Sequence, residues 1–226
     1  MPITHRSCRW ELAVLLIGSN LSSHAQVSSV PREFSADIVR RDAGGASNGP
    51  AAKLHVSRQK TRIDGIDAAG GFFLTDGAAG TAFFVRPAQH VYLDAKQSTP
   101  LTQIFVPVDP LDPCPQWQAA AGIAGAVTAE AWQCARLASA MLDGHPVVEY
   151  RVLSPRPALS QRWIETALGF PLRLQAEDGS TIALENIRIE AQPPSLFSVP
   201  QDYRKLDPQA LIEHIKHSDV WAAPEG

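Results

Sequence analysis

The chain has 226 residues, a formal net charge of -3 and an apolar fraction of 45%. This composition is typical of a soluble globular protein, and it excludes a disordered chain, which would be more charged and less apolar. The sequence pI near 6.1 gives no indication of a nucleic-acid partner. The 18 prolines outnumber the 15 glycines, which favours many short strands over a helical bundle.

The N-terminus has the pattern of an export signal. Basic residues precede a short apolar run, Leu12–Gly18, which is too short to span a bilayer. Ser23 and Ala25 are placed like the small residues of a signal-peptidase site. We therefore predict a signal peptide at residues 1–25 and one domain at residues 26–226, located in the periplasm or secreted. The alternative is an N-terminal amphipathic helix of a cytoplasmic protein.

Two cysteines, Cys114 and Cys134, remain after the predicted cleavage. An even number of cysteines in an exported chain predicts one disulfide bond. The alternative is a pair of buried free thiols. A zinc site is disfavoured because two cysteines this far apart lack partner ligands at the usual spacing.

The first part of the predicted domain contains short apolar segments separated by turn residues such as Gly70 and Gly77. Their spacing of about ten residues is typical of antiparallel strands. Six strands are predicted here, at residues 34–41, 51–57, 60–64, 72–74, 81–86 and 90–94.

The middle of the chain is different. Five prolines between Pro100 and Pro115 exclude a regular helix or a central strand across that stretch. The Ala-rich segment at residues 116–131 predicts one short helix. We interpret residues 100–134 as an insertion between two β halves.

Strands resume after the insertion. Asp143-Gly144 is the signal of a type I′ hairpin, and the apolar phase of the last strand slips near Asn186, which predicts a β-bulge. Asp207 is suited to cap a C-terminal helix. Five strands are predicted here, at residues 133–142, 147–153, 160–166, 170–176 and 180–190.

These elements predict a mainly β protein. No alternation of strands and helices is present, and the hairpin signals favour a meander. A single sheet of about ten or eleven strands must curl or close. We therefore predict an incurved antiparallel sheet, a half-barrel, with a short helical insertion and a C-terminal helix.

The C-terminal third carries a resemblance to a known family. It contains Trp163-Ile164-Glu165, then Gly-Phe-Pro-Leu-Arg at residues 169–173, then Leu-Phe-Ser-Val-Pro at residues 196–200. This order resembles the closing strands of periplasmic lipoprotein-carrier-like proteins with the LolA/LolB-like fold. Glu165 stands where that family usually has Asp, and Asp202 where Gly is frequent. The resemblance implies a concave sheet covered by helices, and a cavity that holds acyl chains in the carriers.

Eight apolar side chains on the predicted strands are candidates for the wall of such a cavity. Ordinary core packing is the competing interpretation, because pairs such as Phe83-Phe84 do not show which neighbour points inward. The eight candidate ligand-binding residues are Val56, Ile63, Phe73, Phe84, Tyr92, Trp163, Leu172 and Leu174.

Signatures of catalysis are missing from the sequence. There is no nucleophile elbow, zinc-protease motif, phosphate-binding loop or dinucleotide fingerprint, so neither an enzyme nor a cofactor is predicted. His214 and His217 have the i, i+3 spacing at which a helix could hold a divalent metal. A polar helix face is the alternative, and we predict no metal.

The predicted function is that of an exported bacterial protein. It would bind a hydrophobic ligand, an acyl chain or a lipoprotein, on the concave face of a curled sheet. The alternative is a non-enzymatic envelope interaction or sensor module that has the same fold and a filled core. An envelope protein would then be its partner.

Overall fold

The computed structural model describes residues 33–47, 52–65, 70–95, 105–123, 133–153 and 160–207, and the structural statements below refer to these residues. The predicted signal peptide and the predicted C-terminal helix with His214 and His217 lie outside them.

A single sheet dominates the structure, as predicted. It contains twelve strands, and one α-helix, α1 (Cys114–Ile123), is found in the described part of the chain. The strands are β1 Phe34–Arg41, β2 Ala52–Ser57, β3 Lys60–Asp64, β4 Phe72–Asp76, β5 Thr81–Arg86, β6 Val91–Asp94, β7 Gln133–Leu142, β8 His145–Leu153, β9 Gln161–Glu165, β10 Phe170–Gln175, β11 Thr181–Ile189 and β12 Arg204–Lys205.

The strand order is β12-β6-β5-β4-β3-β2-β1-β11-β10-β9-β8-β7. Two meanders, β1 to β6 and β7 to β11, are joined at the centre by the antiparallel pair of β1 and β11. The eleven predicted strands are all present. The twelfth has two residues, too few to show a pattern, and it pairs in parallel with β6. Because β7 and β12 end the order without pairing with each other, the sheet is open.

At two sites the backbone conformation agrees with the turn or bulge that the sequence predicts. Asp143 has φ 50° and Gly144 has φ 84°, the positive values that a type I′ hairpin requires. Asn186 has φ 52°, and the register of β1 against β11 shifts beside it. The predicted β-bulge is therefore confirmed.

The two faces of the sheet bury separate apolar clusters. Cross-strand neighbours share a face, and we call the face that carries Leu54, Ile63 and Phe73 the inner face. Its side chains form the main core together with Ala95 and Phe105, and this core also includes Phe34, Ala36, Ile38, Val56, Ala82, Leu174 and Leu184.

The opposite face, called the outer face, carries a smaller cluster. Phe72, Leu74 and Val85 are buried there against Val199 and Tyr203 of the C-terminal segment. This segment is fixed to the sheet by polar contacts as well. The guanidinium Nη1 of Arg62 donates a hydrogen bond of 3.2 Å to the Leu196 carbonyl.

Helix α1 covers the inner face at β8 and β9. Trp117 is fully buried and packs with Val148, Val152 and Ile164. The predicted disulfide is formed: Cys114 at the start of α1 is bonded to Cys134 in β7, with 5.8 Å between their Cα atoms. The helix begins two residues before the predicted position. Pro115 in its first turn is tolerated, because the N–H that proline lacks has no helical partner there.

Residues 105–110, which we call the bridging segment, lie between α1 and the turn that joins β9 to β10. The Val108 N–H donates a 2.8 Å hydrogen bond to the Gly169 carbonyl. Gly169 has φ +59°, and a Cβ there would lie 2.7 Å from the Val108 carbonyl oxygen. Only glycine permits this close approach, which holds the bridging segment against the sheet.

Candidate functional site

A cavity of about 350 Å³ lies on the inner face, and we call it the inner cavity. Four parts of the chain form its walls: the β2–β5 region, the bridging segment, α1 and the β9–β10 turn. The lining residues are Gln59, Thr75, Asp76, Gly77, Ala82, Val106, Pro107, Val108, Asp109, Pro110, Gln116, Ala119, Ala120, Thr166, Ala167, Leu168 and Gly169.

The inner cavity exists because the sheet is curved. Strands β4 and β9 are six positions apart in the sheet order, so they would be about 29 Å apart if the sheet were flat. Residues 75–77 and residues 166–169 nevertheless line one cavity. Curvature of the sheet brings its two halves toward each other, and the bridging segment and α1 occupy the space between them.

The walls are mostly apolar. Ala82 from β5, Ala120 from α1 and Leu168 from the β9–β10 turn are all buried and all line the cavity. Polar lining residues include Asp76 and Asp109. A largely apolar cavity with a few polar groups is typical of sites for small apolar or amphiphilic ligands.

The predicted ligand-binding residues belong mainly to the packed core. Val56, Ile63, Phe73, Leu172 and Leu174 are buried in the main cluster, and Phe84 and Trp163 pack against it while half-buried. None of the eight is among the residues that line the inner cavity. Ligand contact by these side chains stays a prediction.

Tyr92 lies on the other side of the sheet from Phe84, its neighbour in the predicted set. In the register of β5 and β6, Leu93 pairs with Phe84 and Tyr92 pairs with Val85. Tyr92 therefore packs on the outer face, where its ring centre lies 5.3 Å from that of Phe83. Successive side chains of a strand point to opposite faces. Because Val91, Tyr92 and Leu93 are all apolar, the sequence did not show which of them point to the inner face.

Sequence reasoning selected none of the residues that line the cavity. Ala119, Ala120 and Ala167 carry no chemical signal, because alanine is common in any helix or turn. The bridging segment lies in a proline-rich stretch that predicts only a loop. The helical insertion was the one available signal, since the family resemblance implies helices that cover the concave face of the sheet.

A buried cation lies below α1. The Arg162 guanidinium is stacked on the indole of Trp117, with Cζ 4.1 Å from the ring centre, and the residue is 3% exposed. Burial lowers the pKa of Arg162 to about 9, so the side chain is still charged at neutral pH. The stacked pair supports the docking of α1 on β9.

A second cavity, of about 360 Å³, lies beside the β11 bulge. Its lining is polar and includes Asp143, His145, Arg173 and Glu185. Glu185 forms an ion pair with Arg41, and Arg173 lies 3.5 Å from Asp143. The charged side chains of this cavity therefore have partners within the protein.

No group of three or more His, Cys, Asp or Glu residues that could hold a metal ion occurs within the described ranges. Across the same ranges, every helix is too short or too polar to cross a membrane.

No protein-family model matches the sequence, and no curated protein matches it. Several solved structures are similar. An uncharacterized conserved protein from Thermus thermophilus is 10% identical with a TM-score of 0.45, over 79% of this chain and 91% of that one. The MucA/MucB complex of Pseudomonas aeruginosa gives 12% identity and a TM-score of 0.41, over 77% of this chain and 58% of that one.

A LolA superfamily protein, NE2245 from Nitrosomonas europaea, is 10% identical with a TM-score of 0.34, over 74% of this chain and 90% of that one. Its superfamily is the one that the C-terminal third of this chain resembles in sequence. The similarity concerns the fold, and no functional residue is transferred from it.

Proposed function

We propose that this chain is an exported envelope protein that binds the apolar part of a small ligand in the inner cavity. An acyl chain, free or carried by a lipid or lipoprotein, is the ligand that we favour. The observation that carries the proposal is the cavity of about 350 Å³ with mostly apolar walls, a volume within the range of small-molecule sites.

The envelope location is supported by two features of the chain. The N-terminus has the pattern of a signal peptide, and Cys114 and Cys134 are joined in a disulfide. Such bonds persist mainly in oxidising compartments such as the periplasm.

The proposal is tested by blocking the cavity. Ala119 lines it from α1, whereas the adjacent Gln118 is exposed and is not a lining residue. We expect Ala119→Trp to weaken binding of the uncharged fluorophore N-phenyl-1-naphthylamine at least about tenfold, or about 1.4 kcal/mol, and Gln118→Trp to leave binding unchanged. Equal binding by both variants, or no binding by folded wild-type protein, would contradict the proposal.

A second candidate function is the envelope interaction module, and the β7 edge favours it. This strand is exposed along most of its length, and within the described residues it pairs with β8 alone. Leu137 and Met141 of β7 are 43% and 67% exposed, and Leu153 of β8 is 59% exposed. An open edge with apolar side chains is suited to accept an extended segment of a partner protein.

The two candidates are separated by retention of a partner from envelope extracts. A protein retained by Ala119→Trp but lost by Leu137→Lys favours the interaction module. If Ala119→Trp loses the partner protein and Leu137→Lys retains it, the result favours a function that depends on a ligand in the inner cavity.

A further inference from the structure

Two acidic residues, and no basic one, line the inner cavity among the residues that the structure describes. Asp76 is the last residue of β4, and alternation along the strand places its side chain on the outer face, at the edge of the cavity. Asp109 is an exposed residue of the bridging segment. The other polar lining side chains are uncharged: Gln59, Thr75, Gln116 and Thr166. The headgroup of an amphiphile would therefore meet negative charge or neutral dipoles at the cavity wall.

The Asp76 carboxylate is held in place and partly compensated. Its Oδ1 accepts hydrogen bonds of 3.0 Å from the N–H groups of Ala78 and Ala79. Its Oδ2 lies 3.3 Å from the Lys60 Nζ, on a side chain that is 47% exposed. Lys60 is outside the lining. The two N–H groups and the ammonium group together offset part of the negative charge of Asp76. Asp76 is thus the weaker source of negative potential.

Asp109 is the other acidic residue of the lining. Its Oδ1 accepts a 2.8 Å hydrogen bond from the Leu111 N–H, which fixes the orientation of the carboxylate in the bridging segment. Its negative charge also acts on the nearby Tyr150 phenol. Burial is the main cause that raises the pKa of Tyr150; Arg136 opposes the rise, while Asp109 and Asp112 add to it.

The nearest buried cation is screened from a ligand by α1. Arg162 is stacked on Trp117, and neither residue lines the inner cavity. A carboxylate headgroup could reach the guanidinium only by displacing the fully buried Trp117 from the helix interface. Arg162 therefore does not serve as a counter-charge for a ligand in the cavity.

We propose that the inner cavity selects amphiphiles with an uncharged or cationic headgroup and rejects those with a carboxylate. The inference rests on the proposed function and adds the charge of the ligand to it. An acyl chain in ester or amide linkage satisfies the requirement, because the linkage is uncharged. A free fatty acid, ionised at neutral pH, does not.

The test uses three ligands with one chain length: dodecanol, dodecyltrimethylammonium and dodecanoate. Each displaces N-phenyl-1-naphthylamine from the full-length protein at neutral pH, low ionic strength and ligand concentrations below micelle formation. We expect dodecanoate to require a concentration at least about fivefold higher than the other two. The difference should shrink in about 1 M salt, where the screening length is about 3 Å.

Asp109→Asn is the decisive variant, since the amide oxygen can still accept the Leu111 hydrogen bond. It should bring dodecanoate to within about twofold of dodecanol and weaken the ammonium ligand. Asp178→Asn, an equal change of net charge in the exposed β10–β11 turn outside the cavity, should preserve the wild-type preference.

The outcomes separate the two claims. Displacement by dodecanoate as strong as by dodecanol in wild-type protein overturns the charge preference and leaves the proposed function standing. A preference that Asp109→Asn does not change overturns the assignment to Asp109. Failure of the fluorophore and of all three ligands to bind folded protein overturns the proposed function itself.

Discussion

Thr61 buries a hydroxyl group in the apolar inner face. The residue is 2% exposed and has Val56 and Thr75 as its cross-strand neighbours. Its Oγ1 atom has no hydrogen-bond partner among the described residues. A buried hydroxyl without a partner costs about 1–3 kcal/mol, because it loses its hydrogen bonds to water.

Replacing this hydroxyl by a methyl group should therefore stabilise the protein. We expect Thr61→Val to raise the free energy of unfolding by about 1 kcal/mol, measured by urea denaturation. Thr61→Ser, which keeps the hydroxyl and removes a buried methyl, should lower it by a similar amount. A less stable Thr61→Val protein would show that the hydroxyl is hydrogen-bonded after all.

Glu33 connects the start of β1 to the C-terminal segment. Its Oε2 accepts a 2.8 Å hydrogen bond from the Gln192 N–H, and its Oε1 accepts one of 2.7 Å from the Ser57 hydroxyl. These bonds, the Gln192 bond foremost, lower the pKa of Glu33. Since the folded pKa is below the unfolded one, this stabilisation is present above the unfolded pKa and is lost as pH falls through the folded pKa.

Glu33→Gln should therefore change stability in a pH-dependent way. We expect the variant to be less stable than wild type at neutral pH, and the difference to disappear as pH falls through the lowered pKa of Glu33. Urea denaturation across this pH range measures it. Glu177→Gln, in the exposed β10–β11 turn, is the control with little effect. A difference for Glu33→Gln that is independent of pH would contradict the explanation.

At the residue scale, sequence reasoning succeeded where chemistry dictates backbone shape and failed where both neighbours are apolar. Asp143-Gly144 and Asn186 adopt positive φ values, as their types favour. Tyr92 and Leu93 are both apolar enough for either face. Only the pairing of β6 with β5 decides between them, and that pairing is a tertiary contact.

Helix α1 is the element that completes the inner cavity. It provides Gln116, Ala119 and Ala120 to the lining, and the Cys114–Cys134 bond attaches its first residue to β7. Residues of α1 within the described range bury Trp117 but few other large side chains, so the covalent attachment carries much of the docking.

Removing the disulfide should destabilise the fold and weaken ligand binding together. For a sequence separation of 20 residues, Cys114→Ser with Cys134→Ser should lower the free energy of unfolding by roughly 3 kcal/mol, measured by urea denaturation. Wild-type protein treated with a reductant is the matched comparison. Stability and fluorophore binding equal to those of oxidised wild type would refute this role of the bond.

At the element scale, the strands could be predicted because alternation and turn residues recur along the chain. Eleven strands were located from these local patterns. The two-residue β12 was not, and neither was the cavity, whose walls come from four separate parts of the chain. Local patterns do not report such long-range contacts.

The whole molecule is an open, incurved sheet whose two meanders meet at β1 and β11. Packed side chains cover most of the concave inner face. The inner cavity is the space left where the bridging segment and α1 cover the sheet. The predicted binding residues lie mainly in the filled part. We therefore propose a narrower binding site than the sequence suggested, which is the inner cavity between the sheet, the bridging segment and α1.

Methyl NMR of the protein titrated with dodecanol tests this claim most directly. Ala82, Ala120 and Leu168 line the cavity, whereas Leu74 lies in the outer-face cluster and is the internal control. If the ligand binds in the inner cavity, the methyl signals of Ala82, Ala120 and Leu168 should shift in a saturable way, and the Leu74 signal should not change. Shifts confined to Leu74, or no saturable shift at any of the four, would contradict it.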